Sequence, residues 1–478
     1  MPPVEQAELV IIGGGPAGLA AAIEARRAGV SVTILEERSS LGGQIYKQFA
    51  PGFSVVDPEE AGHEYRDGRQ LIDAAERSGA EVRSGAVVWG IWDKQVAWVQ
   101  DETSAGVIEA ACIILAPGAR DRPVAFPGWT LPGVLTAGAA KSLVATQRVL
   151  PGRRILMAGS GPLALAFSAQ LVEYGANIVE VVEAAPPPRP ADLVRLVASA
   201  SPSVLADAAR YRARLLRQRI PLRHSSIIVR AEGANEVERA VVATVDRHWR
   251  VVPGTERALE VDTILLGYGL ETSAELSRLC GCRQRYDLDM GGWLPIRDAW
   301  MRTSVPGIFA VGDGSGVAGS KNAIEEGRLA GIAAARDLGH LSPNVANDRA
   351  RGIRRGLRRL ERFRRTLARM YPVGPGIYEL ATDDTIVCRC EEVTAGDLLA
   401  LLDEGVTDPN IVRARNRAGM GRCQGRNCSS HVAAMIARRG GVSIDRVEPL
   451  TVRPPVKPIP ISAIAEERVQ RHADVDIS

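Results

Sequence analysis

Four of the seven cysteines in this 478-residue chain fall within 41 positions near its C-terminus, as Cys388 and Cys390 in "CRC" and Cys423 and Cys428 in "CQGRNC". The spacing is C-x-C, thirty-two residues, then C-x4-C. Thiolates are soft ligands that select iron–sulfur centres, zinc or Cu(I). The first strand-like run, "ELVIIGGG", starts at Glu8, which leaves no room for a secretion signal ahead of it. The expectation is therefore a cytoplasmic protein with reduced thiols, where clustered cysteines read as metal ligands rather than disulfides. Gly419, Gly421 and Gly425 surround the second pair. They let backbone approach closely and donate N–H bonds to sulfur, which tunes a metal centre. The other cysteines read as packing residues. Cys112 lies in the strand "ACIILA", and Cys280 and Cys282 are too close in sequence for an unstrained disulfide.

A second kind of chemistry is written in glycine. "LVIIGGGPAGLAAAIEARRAGVSVTILEE" is a β-branched strand, a glycine turn, an alanine-rich helix and a second strand ending in Glu36 and Glu37. Gly13 permits the tight turn, Gly15 admits a pyrophosphate to the backbone, and Gly18 allows close helix–strand packing. Pro16 and Ala17 open the helix, whose free N–H groups and partial positive charge face the phosphates. Glu36 stands where a carboxylate takes ribose hydroxyls. The pattern returns in "GRRILMAGSGPLALAFSAQLVEYGANIVEVVEA", with Gly159, Gly161, Ala164 and Glu183. An acid there disfavours a 2′-phosphate, so this second turn suits NAD or an adenine nucleotide better than NADP. Sequence leaves open whether it holds NAD, a structural adenine nucleotide or nothing, and the following "APPPRPADLV" is placed to cover it. The six histidines are scattered, and neither H-E-x-x-H nor a hydrolase elbow occurs, so no residue is assigned as catalytic.

Later segments show what the first turn binds. "RTSVPGIFAVGDGSGVAGSKNAIEEGRLAGIAAARDLG" resembles the second FAD motif of two-dinucleotide-domain flavoproteins. That resemblance implies that Asp313, after Gly312, bonds the ribityl chain and that the next helix points its N-terminus at the pyrophosphate. "ACIILAPGARDRP" resembles the crossover between the two domains, ending at Gly118, with Pro117 where relatives have threonine. "LGGQIYKQ" places Gly43 and Gln44 where relatives bring a loop over the flavin. The inserted second fold is similar to that of thioredoxin reductases, but the C-x-x-C disulfide that those enzymes place beside the flavin is absent. The flavin needs another outlet for electrons.

The elements around the cysteines are short helices. "TAGDLLALLDEGVTD" reads as one, with Thr394 as N-cap, Asp397 in the capping-box position and Gly405 past its end. "DPNIVRARNRAG" and "SSHVAAMIARRGG" read as two more. Together they resemble the bacterioferritin-associated-ferredoxin module, a small helical [2Fe–2S] domain whose second pair is usually C-x2-C. The C-x4-C found here resembles the version carried by certain flavoprotein subunits. Before it, Ile353, Leu357, Leu360, Phe363, Leu367 and Met370 recur every three or four residues amid arginines, a helix docked by its apolar face. Pro372, Gly374, Pro375 and Gly376 break that helix, and the proline-rich tail from Val447 should run along a surface or await a partner.

Over nearly the whole chain these motifs resemble the FAD- and cluster-bearing α subunit of bacterial heteromeric amine and amino-acid dehydrogenases, a group including opine oxidases, hydrogen cyanide synthase and D-hydroxyproline dehydrogenase. The resemblance implies an α/β fold of two Rossmann-like dinucleotide-binding domains plus a small all-α [2Fe–2S] domain. The expected layout is 1–120 with 265–340 for FAD, 121–264 for the second dinucleotide fold, 341–376 as an arginine-rich linker helix, 377–445 for the cluster and 446–478 as tail. It implies FAD and a [2Fe–2S] cluster held by Cys388, Cys390, Cys423 and Cys428. It also implies a hetero-oligomer with a catalytic β subunit carrying its own flavin, with room for a further small subunit. Nucleic acid and an integral membrane segment are not expected: composition is ordinary, net charge is +3, and no apolar run is long enough to span a bilayer. Two other readings compete, a self-contained NADH-dependent reductase and a non-enzymatic cluster-carrying docking module.

Overall fold

The computed structural model describes residues 4–53, 62–100 and 104–462. By compactness the chain divides into two units, each assembled from separated stretches.

The first unit takes residues up to Ala119, then Thr272–Leu360, then the chain from Val452. Its sheet runs, edge to edge, through strands Glu81–Ser84, Val32–Glu36, Glu5–Ile12, Ser104–Leu115, Gln95–Gln100 and Ala86–Trp92, with Ile308–Ala310 beside the end of Ser104–Leu115. The first four strands and Ile308–Ala310 are parallel, and the rest form an antiparallel meander. Residues Leu9–Ile12 are buried on both faces, which is why that strand is an unbroken apolar run. Helix Pro16–Arg27 packs on helix Ser320–Asp337 almost backbone to backbone. A Cβ at Gly327 would lie 2.0 Å from the Ala17 carbonyl oxygen, and one at Gly331 2.4 Å from that of Ala21.

The second unit combines Arg120–Glu271 with Glu361–Thr451. A parallel sheet orders Leu222–His224, Ile178–Glu183, Ile155–Gly159, Thr263–Gly267 and Val134–Thr136, and a three-stranded antiparallel sheet accompanies it. The cysteine region contributes helices Ala395–Asp403, Pro409–Asn416 and Ser429–Arg439. These do not form a core of their own. Val387, Leu398, Val412 and Ile436 belong to one cluster with Val124, Phe126, Trp249 and Tyr268. The segment expected to serve the cluster, 377–445, thus shares its core with the second unit. The glycines of the helix-breaking stretch make the join, since a Cβ at Gly374 would meet the Trp249 ring at 2.3 Å and one at Gly376 the Trp249 carbonyl oxygen at 2.4 Å.

The arginine-rich segment is a single helix, Pro343–Met370, with Ile353 and Met370 buried as its stripe predicts. Thr394 caps its helix with a complete capping box to Asp397. The tail from Val452 belongs to the first unit, where Val456 is buried and donates its N–H to Trp89 O at 2.9 Å. The remainder of the expected tail, 463–478, lies outside the described residues. Among the described residues no helix is long and apolar enough to cross a membrane.

Candidate functional site

In the first unit the chain builds a cradle from glycine and one carboxylate. Gly13 has φ +107°, and a Cβ on it would strike the Ala116 carbonyl oxygen at 2.3 Å. A Cβ on Gly18 would sit 1.9 Å from the Gly13 oxygen. Beside Gly15 the space is open as far as the Cα of Gly43. Gly15 is the N-cap of its helix with no side chain covering the free N–H groups, and Pro16 follows. Buried Glu36 accepts the N–H of Gly14 at 2.7 Å and of Arg38 at 2.9 Å. The 42–44 loop is tied in by the Gly42 N–H to Gly14 O, 2.9 Å, while Gln44 is exposed and accepts from Lys47. Exposed Glu37 pairs with half-buried Lys457 of the tail, whose ammonium is pushed below its ordinary range by desolvation.

The second half of the cradle is set by charge. Gly312 donates its N–H to Glu326 at 2.8 Å, and Glu326 is gripped by Arg297 at 2.6 and 2.8 Å and by the Asn322 amide. Asp313 accepts the N–H groups of Ala318 and Gly319 through one oxygen. Burial pushes its carboxyl above the ordinary range against those two bonds. Gly118 has φ +72° and its oxygen accepts from Ser273 at 3.1 Å. Pro117 leaves no threonine hydroxyl there; its ring leans on Gly314, where a Cβ would have only 2.9 Å. Open glycine turn, uncapped helix N-terminus and ribose-side carboxylate fit a dinucleotide such as FAD.

The second turn repeats the device. Glu183 accepts from Gly161 and Ala185, each at 2.9 Å, as Glu36 does from Gly14 and Arg38. A Cβ on Gly159 would meet the Gly267 oxygen at 2.4 Å, Gly161 has φ +94°, and Ala164 is buried. The proline stretch at 186–189 is exposed. The residue standing at the turn is instead Tyr371, whose ring lies 3.8 Å from a Cβ built on Gly161. Burial first, and the nearby Glu183 charge, push its phenol up to about 12.

The four C-terminal thiols stand in two pairs. Cys388 is held down to about 5, first by its hydrogen bond with Cys428 and then by the N–H groups of Gly419, Glu391 and Cys390. Cys428, fully buried, is pushed up by the same bond. Cys390 is raised by burial and bonded to Cys423. Glycine makes the closeness possible: a Cβ on Gly421 would lie 2.3 Å from the Cys390 Cβ, and Gly419 and Gly425 take φ of +88° and +81°. Among the described residues no three His, Cys, Asp or Glu converge as a single metal ion requires. Two thiol pairs fit a binuclear centre in which each iron takes two thiolates. Asn416 Nδ2, Ser430 Oγ and His431 Nδ1 are buried without a hydrogen-bond partner among the described residues, and they bracket the 419–428 loop. His431 is fixed through its other nitrogen, which accepts the Ala125 N–H at 2.9 Å, and by the edge of Tyr378. Such orphaned donors are what a sulfide-bearing cluster satisfies. The remaining cysteines are buried or half-buried and unpaired, with Cys112 raised to about 11 and Cys280 to about 12 by burial.

Residues 7–336 match the family described as pyridine nucleotide-disulphide oxidoreductase, and 386–438 match the BFD-like [2Fe-2S] binding domain. The chain belongs to the pyridine nucleotide-disulphide oxidoreductase family and carries a BFD-like [2Fe-2S] domain; its cofactors are accordingly FAD and a [2Fe–2S] cluster. Within that class it is 33% identical over 469 residues to an opine oxidase subunit from Agrobacterium tumefaciens (strain Ach5), covering 96% of this chain and 91% of that one. To hydrogen cyanide synthase subunit HcnB of Pseudomonas aeruginosa it is 33% identical over 464 residues, covering 95% and 97%. In fold it is similar to L-proline dehydrogenase from P. horikoshii, with a TM-score of 0.67 at 20% identity, covering 96% of this chain and 80% of that one. The family resemblance expected from the motifs is thus met.

Arg297, Glu326, Tyr371, Tyr378, His431 and Lys457 are the residues that sequence reading passes over. The "IEE" preceding the Gly327 packing site is the one local signal, since an acid facing a tightly packed helix must find a partner.

Proposed function

We propose that this chain is the electron-transfer subunit of a heteromeric dehydrogenase that oxidises the C–N bond of an opine, imino acid or related N-substituted or D-amino acid. The observation that carries the reading is an FAD cradle and a four-thiol cluster site in one chain, with no exchangeable disulfide among its described cysteines. The names of its relatives, which are subunits of an opine oxidase and of a hydrogen cyanide synthase, support a heteromeric assembly.

FAD, when bound, accepts and releases electrons, and the cluster relays them singly. The chain's own residues hold and tune those groups. Gly13, Gly15 and Gly18 shape the turn and Pro16 opens the helix, so that N–H groups from Ala17 onward face the pyrophosphate, Glu36 and Glu37 lie on the ribose side, and Gly43, Gln44, Gly118, Gly312 and Asp313 line the flavin end. Cys388, Cys390, Cys423 and Cys428 ligate iron. Gly159, Gly161, Ala164 and Glu183 form a second nucleotide turn. On this reading residues 1–120 and 265–340 serve FAD, 121–264 the second nucleotide fold and 377–445 the cluster, in a cytoplasmic protein. Substrate oxidation falls to a partner β subunit bearing its own flavin. The purified full chain should leave such amines unoxidised until that partner is added; full-rate oxidation by the chain alone overturns the reading.

A second reading, a self-contained NADH-dependent reductase, is favoured by the intact Gly159–Gly161 turn with its acid. Anaerobic NADH then bleaches the flavin's visible band rapidly. With Tyr371 at that turn, the expected result is no rapid bleaching.

A further inference from the structure

Helix Pro343–Met370 carries ten arginines against Asp348 and Glu361, in a chain whose total formal charge is only +3. From 351 to 370 its exposed residues are Gly352 and seven arginines: Arg351, Arg355, Arg358, Arg359, Arg362, Arg365 and Arg369. Apart from Arg359, these recur at alternating steps of four and three. That spacing keeps all six on one face of the helix, along about 27 Å of its axis. Arg351 pairs with Asp348 and Arg365 with Glu361. Arg355, Arg358, Arg359, Arg362 and Arg369 form no ion pair among the described residues. Like charges four apart oppose a helix, so the stripe is retained against its own repulsion. The helix's two acids offset only Arg351 and Arg365 of the stripe, and the other four arginines suit something anionic outside.

The chemistry of the face narrows what that is. The helix has no lysine, and the planar guanidinium fork suits bidentate carboxylate recognition. Between 351 and 370 no apolar or aromatic side chain is exposed. Permanent subunit interfaces have apolar cores anchored by aromatic residues, so this face is unsuited to an obligate partner. Helices that lie in a lipid surface keep apolar side chains free to insert, whereas here Ile353 and Met370 are buried in the protein itself. A single-sign face without apolar anchors is the form taken by fast, transient, electrostatically steered association.

We propose that the arginine face of helix Pro343–Met370 is the docking surface for an acidic, soluble one-electron carrier protein, an inference that rests on the electron-transfer reading above. In each encounter one electron leaves the reduced chain and reduces the carrier's metal centre by one; no bond is made or broken and no proton need move. The test uses the full-length, chemically reduced protein and its Arg355→Gln/Arg358→Gln/Arg362→Gln variant. Acidic plastocyanin is the carrier probe, with basic cytochrome c and a neutral benzoquinone as comparisons. Binding of labelled plastocyanin, followed by anisotropy, reads docking alone. The oxidation rate in stopped flow reads transfer. The wild-type chain should bind plastocyanin and reduce it faster than cytochrome c, with a rate that falls about tenfold as salt rises past roughly 0.1 M. The variant should lose about tenfold in both binding and rate at low salt while its oxidation by the quinone is unchanged. Equal binding by variant and wild type overturns the surface. So does loss of binding to anionic phosphatidylglycerol vesicles with plastocyanin binding intact, which assigns the face to lipid. Failure of the quinone to oxidise either protein instead counts against the electron-transfer reading.

Discussion

Replacing Gly421 by alanine tests the cluster site with the smallest possible change. Gly421 does not have positive φ, so the backbone itself would accept alanine. Room is what it lacks. The added carbon would lie 2.3 Å from the Cys390 Cβ and 2.9 Å from Glu391 Oε1. Non-bonded carbons rest about 3.5–4 Å apart. The "CRC" strand end and the 419–428 loop must therefore separate by about 1.2–1.7 Å, given the optimum for carbon pairs. Metal–ligand distances tolerate only about 0.2 Å, so the shift exceeds the allowance severalfold for the Cys390 and Cys423 pair. Overpacking of this size also lowers stability by about 1–3 kcal/mol, too little to unfold a domain of ordinary stability. The expected protein is folded and yellow, with FAD bound and iron largely lost. Iron assay, the visible spectrum and EPR of the reduced protein measure it, with FAD content as the internal control and Cys423→Ser as the ligand-loss benchmark. Full iron with an unchanged EPR signal would refute the argument that this glycine exists to admit Cys390.

The buried Arg297–Glu326 pair sets a second expectation. Glu326→Gln keeps an acceptor for Gly312 but strands the guanidinium, lowering stability by about 3–5 kcal/mol; adding Arg297→Met should recover most of the urea midpoint, and a double variant no better than the single one rejects the pair's role. Asp313 gives a pH prediction. Its raised folded-state pKa means the native chain holds that proton more tightly than the unfolded one, so its contribution is present below about pH 4 and is lost as pH rises through the folded value. Asp313→Asn keeps the acceptor for Ala318 and Gly319; it should raise the melting temperature of the FAD-free protein at pH 7 but not near pH 4, while weakening FAD binding. No gain at pH 7 refutes it. Truncation after Thr451 removes Val456 and Lys457 from the first unit, and FAD release measured by fluorescence recovery should quicken; an unchanged off-rate separates the tail from the flavin.

Much of the site was legible because its demands are local. Gly13, Gly18, Gly159 and Gly421 are glycine because another atom occupies the place of a Cβ, and that need leaves a fixed spacing in the chain. Glu36 and Glu183 end strands beside those turns, so their positions follow from strand length. Thr394 and Asp397 cap a helix within three residues of each other. What escaped reading are meetings across long separations: Arg297 with Glu326, Lys457 with Glu37, Tyr371 with Gly161, His431 with the Ala125 N–H. No periodicity encodes such pairs, since each side chain reads as an ordinary surface or helix residue until tertiary packing brings its partner. The shared core of the cysteine region escaped for a related reason, because an amphipathic helix declares an apolar face without declaring what covers it.

The first unit's discontinuity bears on how the molecule is made. Its sheet needs Ile308–Ala310 and its cradle needs Glu326, yet Lys457 meets Glu37 only when the last stretch of chain arrives. At ribosomal speeds of about 5–20 residues per second, the roughly 340 residues separating Ala119 from Lys457 take about 20–70 s to emerge. The nascent amino-terminal segment therefore waits, half-built, through most of translation. Flavin capture therefore waits at least until Glu326 has emerged, and a product stalled before Ile308–Ala310 should be colourless.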